Sequence, residues 1–137
     1  MKSDQEISSL LRAAGLRPTR QRLLLGTLLF GLGDRHVSAE ELHAEAVGRG
    51  EKVSLATVYN TLHQLKRAGL LRELAIEGTK AFFDTNTSSH HHFYNEREGT
   101  LLDIAPGTIH VHGLPEAPEG TRISHVDVVV RLVRSPE

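Results

Sequence analysis

The sequence predicts an α+β chain: an N-terminal winged helix-turn-helix followed by a small C-terminal α/β dimerisation domain. Three observations carry this. Residues 3–68 hold four short stretches of helical apolar periodicity, most of them closed by glycine. Two short runs, LRELAI and KAFFDT, follow the fourth around an EGT turn and read as a hairpin. After Thr85 the texture changes to Thr, Asn and Ser, and the chain closes on TRISHVDVVVRLV, its strongest strand pattern. The expected domains are 1–84 and 85–137.

Each element has its own reason. Ser3 can cap a helix over 3–13, where Ile7, Leu10, Leu11 and Ala14 recur at helical spacing and Gly15 ends the run. Pro18 suits the first turn of a second helix, with Leu23, Leu24, Thr27, Leu28 and Phe30 as its apolar stripe. In HVSAEELHAEAVGRG, Ser38 and Glu41 form a capping-box pattern, with Leu42, Ala46 and Val47 facing inward. Ser54 can cap the fourth helix, over 54–68, whose inner face is Val58, Leu62 and Leu65. GTLLDI, residues 99–104, reads as a strand, whereas PGTIHVHGLPEAPEG is too proline-rich for a clear helix. A long apolar strand in so small a module is a natural dimer unit, because two copies can share one sheet.

Composition narrows the classes. The 137 residues carry a net charge of -1 and 39% hydrophobic residues, which is globular and leaves no global field toward a polyanion. Charge is nevertheless uneven: 12 Lys/Arg face 10 Asp/Glu in residues 1–84, against 4 and 7 in 85–137. No signal-peptide core and no membrane-length apolar run is present, so the chain is expected to be cytoplasmic, with no membrane partner. The absence of cysteine excludes disulfides and thiolate sites, including a structural zinc held by four cysteines. Any metal or haem must be held by His, Asp and Glu. Nine histidines are present.

The outer face of helix 54–68 carries Thr57, Tyr59, Asn60, His63, Gln64, Lys66 and Arg67. Asn and Gln can pair with adenine, Tyr or Thr can touch a thymine methyl, and Lys66 suits phosphate. Arg17, Arg20 and Arg22 add cations at the start of another helix. The bland alternative is a solvated helix face, against which the adjacent wing argues.

The second constellation is the His90-His91-His92 run. On extended chain, residues two apart share a face. His90 and His92 can therefore address one centre while His91 points the other way. A tag is disfavoured, because the run is short and internal. His36, Asp84 and Asp103 are further candidate ligands, and a mixed nitrogen/oxygen set suits Fe(II), Mn(II) or Zn(II) without choosing among them.

These residues resemble a known family. GLRPTRQRLLLGTLLFG, RHVSAEELHAEA and above all SLATVYNTLHQLKRAGLLREL are similar to the ferric uptake regulator superfamily. FDTN…HHH without cysteine, and the closing DVVVRLVR, look like its iron response regulator branch of alphaproteobacteria. The resemblance implies a homodimer binding AT-rich palindromic operator DNA and acting mainly as a repressor of iron and haem metabolism genes. It places Tyr59 at a base-contacting position and Asn60 where better-known members carry arginine. It implies a regulatory metal site of His36, Asp84, His90, His92 and Asp103. It implies a second metal or haem site of His91, His110 and His125, with His112 the alternative to His110. The branch adds haem as the iron-status signal, although the Cys-Pro haem motif of some members is absent. A manganese- or zinc-responsive repressor of metal uptake on the same scaffold is the alternative. A non-DNA interaction module is a blander one. A metal-dependent hydrolase is disfavoured, since neither H-E-x-x-H nor a phosphate-binding glycine loop occurs.

Overall fold

Four helices open the chain: α1 (Asp4–Ala13), α2 (Arg20–Phe30), α3 (Ala39–Gly48) and α4 (Leu55–Arg67). The structure is a computed structural model and describes residues 1–77 and 80–136. Each helix begins on a hydroxyl cap. Ser3, Thr19, Ser38 and Ser54 each accept the N–H of the residue three along, and Ser3 and Ser38 complete capping boxes with Glu6 and Glu41. Such a cap contributes about 1 kcal/mol. Pro18 sits one residue before the Thr19 cap rather than within the first turn.

Strands β1 (His36–Val37), β2 (Arg72–Glu77) and β3 (Lys80–Asp84) form one sheet in the order β1-β3-β2, antiparallel throughout. The expected wing is the β2–β3 pair; its turn at Gly78 and Thr79 lies outside the described residues. Strands β4 (His92–Asn95), β5 (Thr100–Asp103) and β6 (Val129–Leu132) form a second sheet in the order β5-β4-β6, antiparallel and then parallel. The chain divides into two units, Met1–Thr87 and Ser88–Glu137.

The core of the first unit gathers Ile7, Leu11, Leu25, Leu29, Leu42, Val58, Leu62, Leu65 and Phe83. Full burial of such a side chain stabilises by about 1.5–3 kcal/mol. The α4 stripe is the expected one. On α2 the buried set shifts to Leu25, Gly26, Leu28, Leu29 and Phe30. Gly26 explains the shift: a β-carbon there would come within 2.9 Å of Ile7 Cγ2, so its absence lets α1 lie close on α2. Val47, expected inside, is half exposed, because α3 turns only its Ala39–Leu42–Ala46 side to the core. Gly69 takes a φ of 82° just past α4, where Leu70 N–H reaches back to Leu65 O at 3.0 Å.

Arg35 ties α2 to α3. It donates to Leu28 O at 3.1 Å and grips both Glu45 carboxylate oxygens at 2.9 and 2.6 Å. The guanidinium hydrogen bonds hold the Glu45 carboxyl below its ordinary range. A depressed folded pKa stabilises above the unfolded carboxylate value and is lost as pH falls through the folded one. Arg35→Ala is expected to cost about 1 kcal/mol at neutral pH, the pair being one-third exposed. Urea unfolding should show that difference shrinking once the pH passes below the carboxylate range.

The second unit departs from expectation in two ways. Its described residues contain strands and no helix: residues 104–128 run without regular structure, broken by Pro106, Pro115 and Pro118 and by positive-φ Gly107, Gly113 and Gly120. The small module is therefore not α/β within the described residues. The closing strand is also short, because β4 offers four partners, and Val128 is held instead by its N–H to His91 Nδ1 at 3.1 Å.

Candidate functional site

The histidine run folds as the alternation rule requires. His92 opens β4 and stands opposite Asp103, the last residue of β5. His90 lies two residues earlier, and its ring centroid is 4.5 Å from that of His92. Both Nε2 atoms converge on Asp103 Oδ1, His92 at 3.2 Å and His90 at 3.6 Å. One ligand atom from each of the three residues lies within 4.8 Å of the others. The imidazoles are buried, whereas the Asp103 side chain is 60% exposed.

The hydrogen bonding of His90 tests whether a cation fits. Its Nδ1 lies 2.8 Å from Ser88 O. A carbonyl only accepts, so the neutral ring carries its proton on Nδ1 and turns the Nε2 lone pair to the Asp103 carboxylate. A lone pair and a carboxylate aimed at one point want a cation between them. A second hydrogen bond fixing the tautomer is the usual support of a metal-binding imidazole. The donor set fits a divalent ion of the Mn, Fe or Zn type.

His91 points away, as expected. Its Nδ1 accepts Val128 N–H, which puts the proton of the neutral ring on Nε2. Ligation through that nitrogen would require the bond to be given up. His110 and His112 are exposed, with rings 6.4 Å apart and nearly parallel, and His125 lies against Ser124 Oγ at 3.2 Å. Among the described residues, no ligand cluster gathers His91, His110 and His125. In the first unit, His36 and Asp84 are register partners on β1 and β3. The His36 ring stands edge-on to Phe82 at 6.4 Å, and buried Asp84 accepts Asn86 N–H at 2.9 Å.

On α4 the face opposite Val58, Leu62 and Leu65 is less uniform than its sequence. Asn60 is exposed beside Tyr59, whose ring packs partly on the core. Thr57 Oγ1 accepts the Ser54 hydroxyl at 2.9 Å. Gln64 Oε1 accepts Arg22 Nε at 3.1 Å, and Arg22 also holds Arg17 O at 2.9 Å, tying α2 to α4. Lys66 pairs with Glu73 of the wing at 2.6 Å. His63 stands edge-on to Phe83 at 5.5 Å, turned toward the sheet. Arg17 and Arg20 lie near the start of α2, and Arg20 is 3.7 Å from Glu51. Thr19, Gln21, Arg22, Thr57, Asn60 and Gln64 line a shallow groove of about 280 Å³ between the start of α2 and α4.

One partner was invisible in the sequence. Tyr59 Oη donates to Glu40 Oε1 at 2.7 Å, from α4 to the first turn of α3. The bond lowers the Glu40 pKa and raises that of Tyr59. No local pattern links positions 19 residues apart on different helices.

This architecture has known counterparts. A profile of the ferric uptake regulator family matches residues 13–131. The chain belongs to the ferric uptake regulator family. Members are DNA-binding transcription regulators and not enzymes. A ferric uptake regulation protein of Shigella flexneri is 42% identical over 82 residues, 60% of this chain and 55% of that relative. The matched segment thus spans about half the length of that relative. The solved ferric uptake regulator of Vibrio cholerae superposes with a TM-score of 0.73 at 26% identity, over 90% of this chain and 96% of the other. The regulator of Pseudomonas aeruginosa, solved with manganese, gives 0.66 at 26% identity, over 94% and 97%. Among the described residues, no helix is long and apolar enough to cross a membrane.

Proposed function

We propose that this chain is a metal-responsive DNA-binding transcription regulator that acts as a homodimer on AT-rich palindromic operators. The observation that carries the metal half is the convergence of His90 and His92 Nε2 on Asp103 Oδ1. The family resemblance adds His36 and Asp84 as further ligands in this reading. A divalent ion bound there would supply a fixed positive centre whose affinity is coupled to that for DNA. The manganese in the Pseudomonas aeruginosa relative supports Mn(II) as the ion.

The DNA half rests on α4 with Tyr59, Asn60, Thr57, His63, Gln64 and Lys66, and on Arg17 and Arg20 near the start of α2. Their present tasks differ: Asn60 lines the groove, whereas Tyr59, Gln64, Lys66 and His63 also hold neighbouring elements. Dimerisation is supported by the exposure of Leu102, Leu114, Ile123 and Val133, apolar side chains of the second unit that a lone chain leaves in water.

Haem sensing, as in the iron response regulator branch, is the second reading. His110 and His112 are the exposed imidazoles open to it, since buried His92 suits a compact ion better than a wide macrocycle. His91 and His125 would join that second site.

A mobility-shift assay decides. Wild-type protein selects duplexes from a random library and is then compared metal-free, with Mn(II), Fe(II) or Zn(II), and with haem. The bound metal is expected to raise affinity for the selected duplex by about 5- to 150-fold. Tyr59→Ala is expected to abolish the preference for it over a shuffled duplex. Failure to select any duplex at low salt would sink the regulator reading. A Soret shift without any metal response would favour haem.

A further inference from the structure

Glu40 stands in the first turn of α3, is exposed, and holds the hydroxyl of Tyr59 at 2.7 Å. The charge is well placed to persist there, because a helix N-terminus favours an anion. Lys80 on the wing adds a smaller attraction. The cost of a carboxylate beside a polyanion's binding face needs a return. The geometry supplies one: a phenol whose proton is committed to Glu40 cannot donate it to a phosphate.

We infer that Glu40 is a positioning residue for DNA recognition, pinning the Tyr59 hydroxyl so that the ring, rather than the hydroxyl, is what meets the bases. A ring held edge-out touches a thymine methyl, a feature that no other base shares. Released, the hydroxyl turns to any nearby phosphate, which every sequence offers. Glu40 thereby trades sequence-independent affinity for discrimination.

This inference rests on the regulator reading above, and its test keeps the two apart. The probes are a duplex selected by the wild-type chain, its shuffled form, and the selected duplex with each thymine replaced by uracil. The wild type must prefer the selected over the shuffled duplex; absence of that preference overturns the regulator reading and the inference together. Given that preference, Glu40→Ala is expected to bind shuffled DNA more tightly and to lose about 3- to 10-fold in selected-over-shuffled ratio. Its sensitivity to uracil replacement should fall with it. Glu40→Gln keeps an acceptor without the charge, so it should gain affinity on both duplexes and retain both discriminations. Tyr59→Phe also unpins the ring but has no hydroxyl to turn to phosphate, so it should lose sensitivity to uracil replacement as Glu40→Ala does without the gain on shuffled DNA, and the double variant should add little to that loss. Glu40→Ala shifting all three probes by one common factor would show a charge effect alone and overturn the inference. So would additive Glu40→Ala and Tyr59→Phe effects. Glu40 is exposed, so the variants should fold, and thermal melting confirms it.

Discussion

Replacing Asp103 by alanine is expected to lower affinity for Mn(II) by about 100-fold or more, at little cost to the fold. Loss of a mere supporting group around a metal typically costs about 10–100-fold, and here a ligand itself is removed. Asp103 supplies the oxygen on which both imidazole nitrogens converge, at 3.2 and 3.6 Å. It is also the exposed member of the triad, at the end of β5, so its removal leaves no cavity. The loss should depend on the metal. Two imidazoles without this carboxylate still suit Zn(II), whereas Mn(II) relies on oxygen ligands. Asp103→Ala should therefore weaken Mn(II) more than Zn(II), and Asp103→Asn should fall between wild type and alanine. Competition titration with a chelating dye measures both metals on one scale. Unchanged Mn(II) affinity in Asp103→Ala would remove this triad from the regulatory site.

Much of this site was legible because it depends on local rules. The i, i+2 alternation of an extended strand brings His90 and His92 together and turns His91 away, and it needs no tertiary information. The α4 core face was legible for the same kind of reason, as Val58, Leu62 and Leu65 follow helical spacing. What escaped the sequence depended on partners far along the chain. Gly26 looks like a weak point in a helix until Ile7 is seen lying 2.9 Å from where its β-carbon would be. Glu40 looks like a stray negative charge until Tyr59 reaches it. Gln64 looks like a base reader, yet it holds Arg22. The Val-rich closing segment predicted a long strand, but strand length is set by the partner, and β4 offers only four positions.

Phe83→Ala is expected to cost about 3–5 kcal/mol, a large part of the roughly 5–15 kcal/mol that holds a typical domain folded. Phe83 is essentially fully buried in the middle of its sheet, registered against Val37 of β1 and Glu73 of β2. Its ring belongs to the same core as Leu62 and Leu65 and takes the edge of His63 at 5.5 Å. Truncation removes the largest fully buried side chain of that core and the ring that His63 of α4 meets. Neighbouring strands are pinned by their ladders, so the cavity cannot collapse freely. Phe83→Leu keeps most of the volume and should cost less than half as much. Urea denaturation of both variants, compared with wild type, measures this directly. The consequence for recognition follows from the same contact. An α4 that loses part of its packing should bind selected DNA more weakly. A stability loss under about 1.5 kcal/mol for Phe83→Ala would mean that the site relaxes around the cavity. It would also show that α4 is held chiefly by the Val58, Leu62 and Leu65 face.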